Sequence, residues 1–226
     1  MPTSKQMTEQ STTYEDLALY PLNDDVLVPH TSVSLQIIDP TYRAMAKRAL
    51  HGSRLIALAM IDEEVPDTPR GPAVHDVAGI AKITDAEELA GGRYVLELTG
   101  VGRALVTSEL DVDTPYRQIR AVHLEEKLDS PEAASDLVWS IRGALLTLQE
   151  RGIDGAEVLN FEVGTIDNAG AVADVVGAAV FPDPNQRRRL LEELDVLNRL
   201  QRVDNRLADL VVRAYRHNPP EAEETN

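Results

Sequence analysis

Apolar and polar positions along this chain change period near residue 125, and that change predicts its organisation. Up to that point the apolar residues come in short runs or alternate at period two. Leu17 to Tyr20, Val26 to Val28, the alternating set Val33, Leu35 and Ile37, the run Leu55 to Ile61, Asp76 to Thr84, Tyr94 to Val106 and the set Ile119, Ala121 and His123 read as strands. Pro and Gly break these runs, and Gly91-Gly92 in the link from Asp85 to Arg93 suits a tight reversal. One helix interrupts them. Asp39-Pro40 supplies a capping side chain and a residue preset for the first helical position, Tyr42, Met45, Ala46, Ala49 and Leu50 follow at helical spacing, and Gly52 is expected to end the helix in a left-handed conformation. Asp62 to Pro72 carries three prolines and several acids and is expected to loop out.

Beyond residue 125 the spacing becomes three and four. Ser130-Pro131 opens a helix carrying Leu137, Ile141, Ala144, Leu145 and Leu148 towards Gly152. A shorter helix is expected after Asp167-Asn168, with Val172, Val175, Val176, Ala179 and Val180, ending before Pro182. Asp183-Pro184 opens a third, whose stripe from Leu190 to Ala214 predicts one unbroken helix of about eight turns. The expected division is a polar leader over 1–16, a β-lobe over 17–125, a helical bundle over 126–216 and an acidic tail over 217–226. Six or so strands with one inserted helix imply a small, mostly antiparallel barrel or curled sheet, so the fold class is α+β.

Composition narrows the chemistry. The chain has 226 residues, 38 acidic against 22 basic side chains, a net charge of −16 and no cysteine. Residues 1–125 and 126–226 each hold eleven Lys and Arg and nineteen Asp and Glu, so neither half offers the basic footprint of a nucleic-acid binder. The absence of cysteine removes disulfides, thiolate metal sites and cysteine nucleophiles together. Leu55 to Ile61, the longest wholly apolar run, is too short to span a bilayer, and the polar start is unlike a signal peptide; a cytoplasmic location is expected.

Candidate catalytic residues do not converge. None of His30, His51, His75, His123 and His217 has the spacing of a zinc site, and His75-Asp76 reads as a polar pair at a loop edge. Ser32, Ser34 and Ser140 lie in neither a G-x-S-x-G elbow nor an S-x-x-K spacing. Gly100-Val-Gly102-Arg103 lacks the third glycine of a dinucleotide fingerprint and reads as a bulge or barrel corner. Arg187-Arg-Arg189, the one dense basic cluster, is followed by Glu192, Glu193 and Asp195 and reads as a solvated face with i,i+4 pairs. No catalytic residue, metal ligand or cofactor is expected.

Taken in order, several of these stretches are similar to the N-terminal substrate-binding domain of the Lon protease family. They are Pro21-Leu22 with Pro29 and Leu35, Val77 to Ile83, Leu98-Thr-Gly100 with Gly102-Arg103, Pro115-Tyr116, Ala173-Asp-Val-Val176 and Gln186 to Leu200, and the similarity extends over about Leu17 to Ala214. The resemblance implies a PUA-like pseudo-barrel followed by a helical bundle, and a recognition module without the ATPase and peptidase domains of the full-length proteases. It also implies protein partners: unfolded polypeptides, or a proteolytic partner, held without cleavage. A PUA-like nucleic-acid binder is the alternative, disfavoured by the charge. The chain departs from the family at Val28, His30 and Ser34, where an aromatic, a glycine and a proline are usual. Val28, Pro29 and His30 are accordingly the expected protein-binding residues.

Overall fold

A computed structural model describes residues 12–217, an α+β fold with one six-stranded sheet and six helices. The elements are β1 (Thr13–Leu22), β2 (Ser32–Ile37), α1 (Pro40–His51), β3 (Leu55–Met60), β4 (Val77–Leu89), β5 (Arg93–Glu109), β6 (Gln118–His123), α2 (Pro131–Glu150), α3 (Ala156–Gly164), α4 (Ala169–Val180), α5 (Pro184–Glu192) and α6 (Val196–His217). The strand order is β2-β5-β4-β3-β1-β6, and the long β5 also pairs with β6. The pairings therefore close on themselves through β5, β4, β3, β1 and β6, with β2 attached outside this ring. Only β1 and β3 run parallel, in the register Ala18 to Ile56 through Leu22 to Met60. The crossover between them carries β2 and α1, the long connection that a parallel pair requires.

Local chemistry accounts for most of the boundaries. Asp39, Ser130, Asn168 and Asp183 each accept a hydrogen bond from a backbone N–H in the first turn of the helix they precede, and proline stands at the start of α1, α2 and α5. At the β4–β5 hairpin Gly91 and Gly92 have φ of 80° and 72°, a pair of left-handed residues that glycine supplies without steric cost.

Six expectations are corrected. Thr13–Asp16, expected in the leader, belong to β1, where Thr13 and Tyr14 pair with Val122 and Ala121 of β6; residues 1–11 of that leader and 218–226 of the tail lie outside the described residues. Val26–Val28 is buried but is no strand. Asp85–Leu89, expected as a link, extends β4, because the ladder with β5 resumes after a register shift between Ile83 and Asp85. Gly52 has φ −115°, and it is Arg54 that turns left-handed at φ 62°. Helix α3 is additional to the expected elements; its buried Ala156 and Val163 share nine residues with the exposed Val158 and Phe161, which blurs an amphipathic stripe. Lastly, the long terminal helix is two helices. Lys127 pairs with the turn between them, its N–H bonding to Leu194 O and its carbonyl accepting from Val196 N, and the Asp195 carboxylate accepts from the N–H groups of Leu197 and Asn198. Asp195 thus caps α6, while the leucine spacing runs on across the break.

The apolar interior has three parts. Leu27, Ile37, Met45, Ala46, Ile56, Leu58, Ile83, Leu96 and Leu98 pack between α1 and the strands. Leu19, Ala57, Ala78, Ile80, Ala104, Ile119 and Ala121 fill a second cluster contributed by five strands. Helices α2 to α6 share the third, with Ile141, Leu145, Val163, Val172, Val176, Leu190, Leu200, Val203 and Leu207. Val26 and Val28 belong to this helical core although they precede it by a hundred residues.

Candidate functional site

The seam between sheet and helices is made by Val26 to Pro29. Its side chains alternate, Val26 and Val28 entering the helical core and Leu27 the core beneath α1. To do this the segment lies flat across β4 and β5. A Cβ on Gly79 would stand 2.2 Å from the Leu27 carbonyl oxygen, and one on Gly100 would stand 2.4 Å from that of Val28. Glycine is required at both strand positions by this close approach. The Gly100-Val-Gly102-Arg103 stretch resolves accordingly as a bulge: Ile80 pairs with Gly102 and Ala81 with Gly100, so Val101 is left over and exposed, and Gly102 gives room to the His123 ring.

Arg103, the last residue of that stretch, enters a buried charge cluster. Its guanidinium donates to Leu191 O at 3.0 Å, to Glu126 Oε1 at 2.6 Å and to Asp174 Oδ1 at 2.5 Å. Arg199 of α6 donates to the same Glu126 oxygen at 2.6 Å and to Glu193 O at 2.9 Å, and stands 3.1 Å from Asp174 Oδ1. Asp174 and Arg199 are fully buried. Burial pushes the Asp174 carboxyl above its ordinary range against the opposing pull of both arginines, and burial likewise pushes Arg103 below its ordinary value. Two arginines face one fully buried carboxylate and one partly exposed one, so the group compensates itself internally. It ties β5, the 124–127 link, α4 and the α5–α6 turn together. Neither nucleophile nor histidine belongs to it, and its role is structural.

The expected binding turn divides. Val28 and Pro29 are buried in the seam, and His30 alone is exposed. His30 adopts φ 64°, with its N–H bonded to Gly100 O at 2.8 Å, while the Thr31 hydroxyl donates to Val28 O at 2.7 Å. A left-handed φ costs a non-glycine residue about 1 kcal/mol. His30→Gly should therefore raise the stability by about 0.5–1 kcal/mol, measured by urea denaturation; a loss of stability would show that the imidazole makes a compensating contact. Beside this turn a groove of about 240 Å³ runs between the lobes, lined by Leu22, Val26, Leu27, Val33 and Ala178, with the Asp25–Arg187 ion pair at its rim. It has room for one or two side chains.

A second surface lies away from that turn, where the sequence carries no motif. On the outer faces of α2 and α3 the exposed side chains include Trp139 at 69%, Phe161 at 76% and Val158 at 62%, with Leu146 half-exposed. The two helices are joined by Arg142, which donates to Val163 O and Ile166 O, and by Asn160, which donates to Gln149. The chain has one Trp and two Phe, and the Trp and one Phe are spent on solvent here. Isolated exposed leucines need no explanation, but large apolar side chains exposed on two adjacent helices make these faces a candidate interaction surface. Asp136, Glu157 and Glu162, exposed on the same two helices, make its surroundings acidic.

The histidines and serines weighed for catalysis stay apart. His75 lies 3.4 Å from Asp62, not against Asp76. Ser32 pairs with Thr99 and Ser140 donates to Asp204, neither having a histidine base. Arg187, expected on a solvated face, instead bonds Asp25, Phe181 O and Pro182 O, whereas Arg188 makes the expected i,i+4 pair with Glu192. Among the described residues no group of three His, Asp or Glu is placed to hold a metal ion, and no helix is long and apolar enough to cross a membrane.

Comparison with known proteins points one way. The family described as the ATP-dependent protease La (LON) substrate-binding domain matches residues 16–209. The chain is 28% identical over 204 residues to the Lon protease of Syntrophomonas wolfei, covering 89% of this chain and 25% of that protein. It is 30% identical over 191 residues to the Lon protease of Chloroflexus aurantiacus, covering 84% and 23%. The chain thus spans about a quarter of the length of these relatives. Among solved structures, the N-terminal domain of the Mycobacterium avium complex Lon protease superposes with a TM-score of 0.68 at 22% identity, covering 86% of this chain and 99% of that one. The Lon N-terminal domain protein from Xanthomonas campestris gives 0.57 at 21% identity, covering 84% and 97%.

Proposed function

We propose a function from one premise: the chain belongs to the family of Lon protease substrate-binding domains. It is a non-catalytic recognition module that holds exposed apolar segments of unfolded or degradation-destined polypeptides. The closed ring of strand pairings supports the PUA-like pseudo-barrel that the family resemblance implies, and the shared core of α2 to α6 supports the helical bundle.

One observation carries the binding reading: Trp139, Phe161 and Val158 stand exposed on α2 and α3. Aromatic side chains of this kind dominate the binding energy of protein interfaces, because each buries a large area at small entropic cost. The groove between the lobes, with His30 beside it, is a smaller second contact region. The acidic side chains around Trp139 and Phe161 repel a phosphate backbone and disfavour the nucleic-acid alternative.

The test is a titration of a labelled, permanently unfolded polypeptide followed by anisotropy. The double substitution Trp139→Ala with Phe161→Ser should weaken binding at least tenfold, about 1.4 kcal/mol, while urea denaturation stays within about 0.5 kcal/mol of wild type. Unchanged affinity in the double variant would overturn the assignment of the surface. Absence of binding by the wild type would overturn the function.

A further inference from the structure

Arg189 is the one member of the Arg187-Arg188-Arg189 cluster that the fold leaves over. Arg187 pairs with Asp25 and Arg188 with Glu192, but Arg189 is exposed and, among the described residues, bonded by its side chain to no carboxylate. Its own carbonyl accepts from Arg202 Nη1 at 3.1 Å, which pins the guanidinium of Arg202, on α6, against α5. Both arginines line a pocket of about 240 Å³ with Phe181, Leu190, Gln186 and Asn205. Asn205 accepts from Gln201 through its oxygen, so its NH₂ group remains as a donor. Next to the pocket Arg206 Nε is spent on Val180 O at 3.1 Å.

In a chain of net charge −16, the described residues that line this pocket include two arginines and two amides and no carboxylate. Its wall is apolar, with Phe181 half-buried and Leu190 buried. Guanidinium forks match a carboxylate bidentately, and an arginine already held in place loses little freedom on binding one. We infer that this pocket receives the free C-terminal carboxylate of a polypeptide whose last side chain is apolar, the carboxylate lying between Arg189 and Arg202 and the side chain against Phe181. The inference rests on the polypeptide-binding function proposed above and adds to it a preference for chain ends.

The experiment uses the full chain and a fluorescein-labelled decapeptide ending in leucine, prepared as the free acid and as the C-terminal amide. Amidation should weaken binding at least fivefold at low salt. Arg202→Gln should weaken the free acid to the same degree and leave the amide unchanged. Equal affinity of acid and amide for the wild type, or an equal loss of both in Arg202→Gln, overturns the chain-end site while leaving polypeptide binding in place. Failure of both forms to bind overturns the two together.

Discussion

Asp174→Ala should destabilise the protein by about 3–5 kcal/mol, seen as a lower denaturation midpoint in urea. The substitution removes the one fully buried carboxylate facing two buried guanidinium groups, and Glu126, partly exposed and bonded to both through a single oxygen, remains as their only carboxylate partner among the described residues. Uncompensated buried charge is among the most expensive defects a fold can carry. The cluster should nonetheless be replaceable as a unit. Exchanging Arg103, Asp174 and Arg199 together for Met, Leu and Met should restore much of the loss, because apolar groups of similar volume avoid the desolvation that the charges suffer. A triple variant no more stable than Asp174→Ala would mean that the ion pairs, beyond mutual compensation, hold the lobes in register.

Gly79→Ala should cost about 3 kcal/mol, the second large effect. The new Cβ would stand 2.2 Å from the Leu27 carbonyl oxygen, and both partners are backbone, one in β4 and one in the segment that joins the two cores. Gly177→Ala provides the contrast. There the added carbon meets Leu190 Cδ2 at 2.3 Å, a side-chain tip and not a backbone carbonyl, so the loss should be smaller. Thermal denaturation of the two variants checks the order; a Gly79→Ala protein as stable as wild type would contradict the flat packing of Val26 to Pro29 over the sheet.

These two effects fall on residues that carry the family resemblance, and they explain it. Arg103 and Asp174, which stand in separate motifs some seventy residues apart, are one ion pair, and Gly79 and Gly100 are the floor on which Val26 to Pro29 lies. Such motifs mark the joint between sheet and helices and carry no chemistry of their own. The strands and capped helices are legible in the sequence because alternation, prolines and Asp, Asn or Ser caps act locally. The break between α5 and α6 is hidden there, since Leu190, Leu194 and Leu197 keep helical spacing across it and only the pairing with Lys127, distant in sequence, reveals it. Val26 to Val28 resembles a strand for a related reason. Its alternation is real, but its two faces serve two different cores instead of a core and solvent.

The candidate site is less legible than the fold. Val28 and Pro29 depart from, or flank departures from, the family pattern, yet burial leaves only His30 within reach of a partner. Trp139 and Phe161 carry no motif; their signal is exposure, which the sequence displays only for Trp139, through the helical stripe. In α2 the Trp sits on the face opposite Ile141 and Leu148, and a helical projection of Leu137, Ile141, Leu145 and Leu148 does place it outside the apolar stripe. The leftover arginine of the 187–189 cluster is equally hidden, because its two neighbours find their partners only in the folded chain.

If a polypeptide lies on α2 and α3, the protein contains its own reporter of the contact. Trp139 is the single tryptophan and is exposed. Its emission is therefore that of a solvated indole in the free protein, and titration with a tryptophan-free unfolded polypeptide should shift it to shorter wavelength in a saturable manner. Saturable binding, registered by anisotropy, with no change in Trp139 emission would contradict that placement and move the site elsewhere on the molecule.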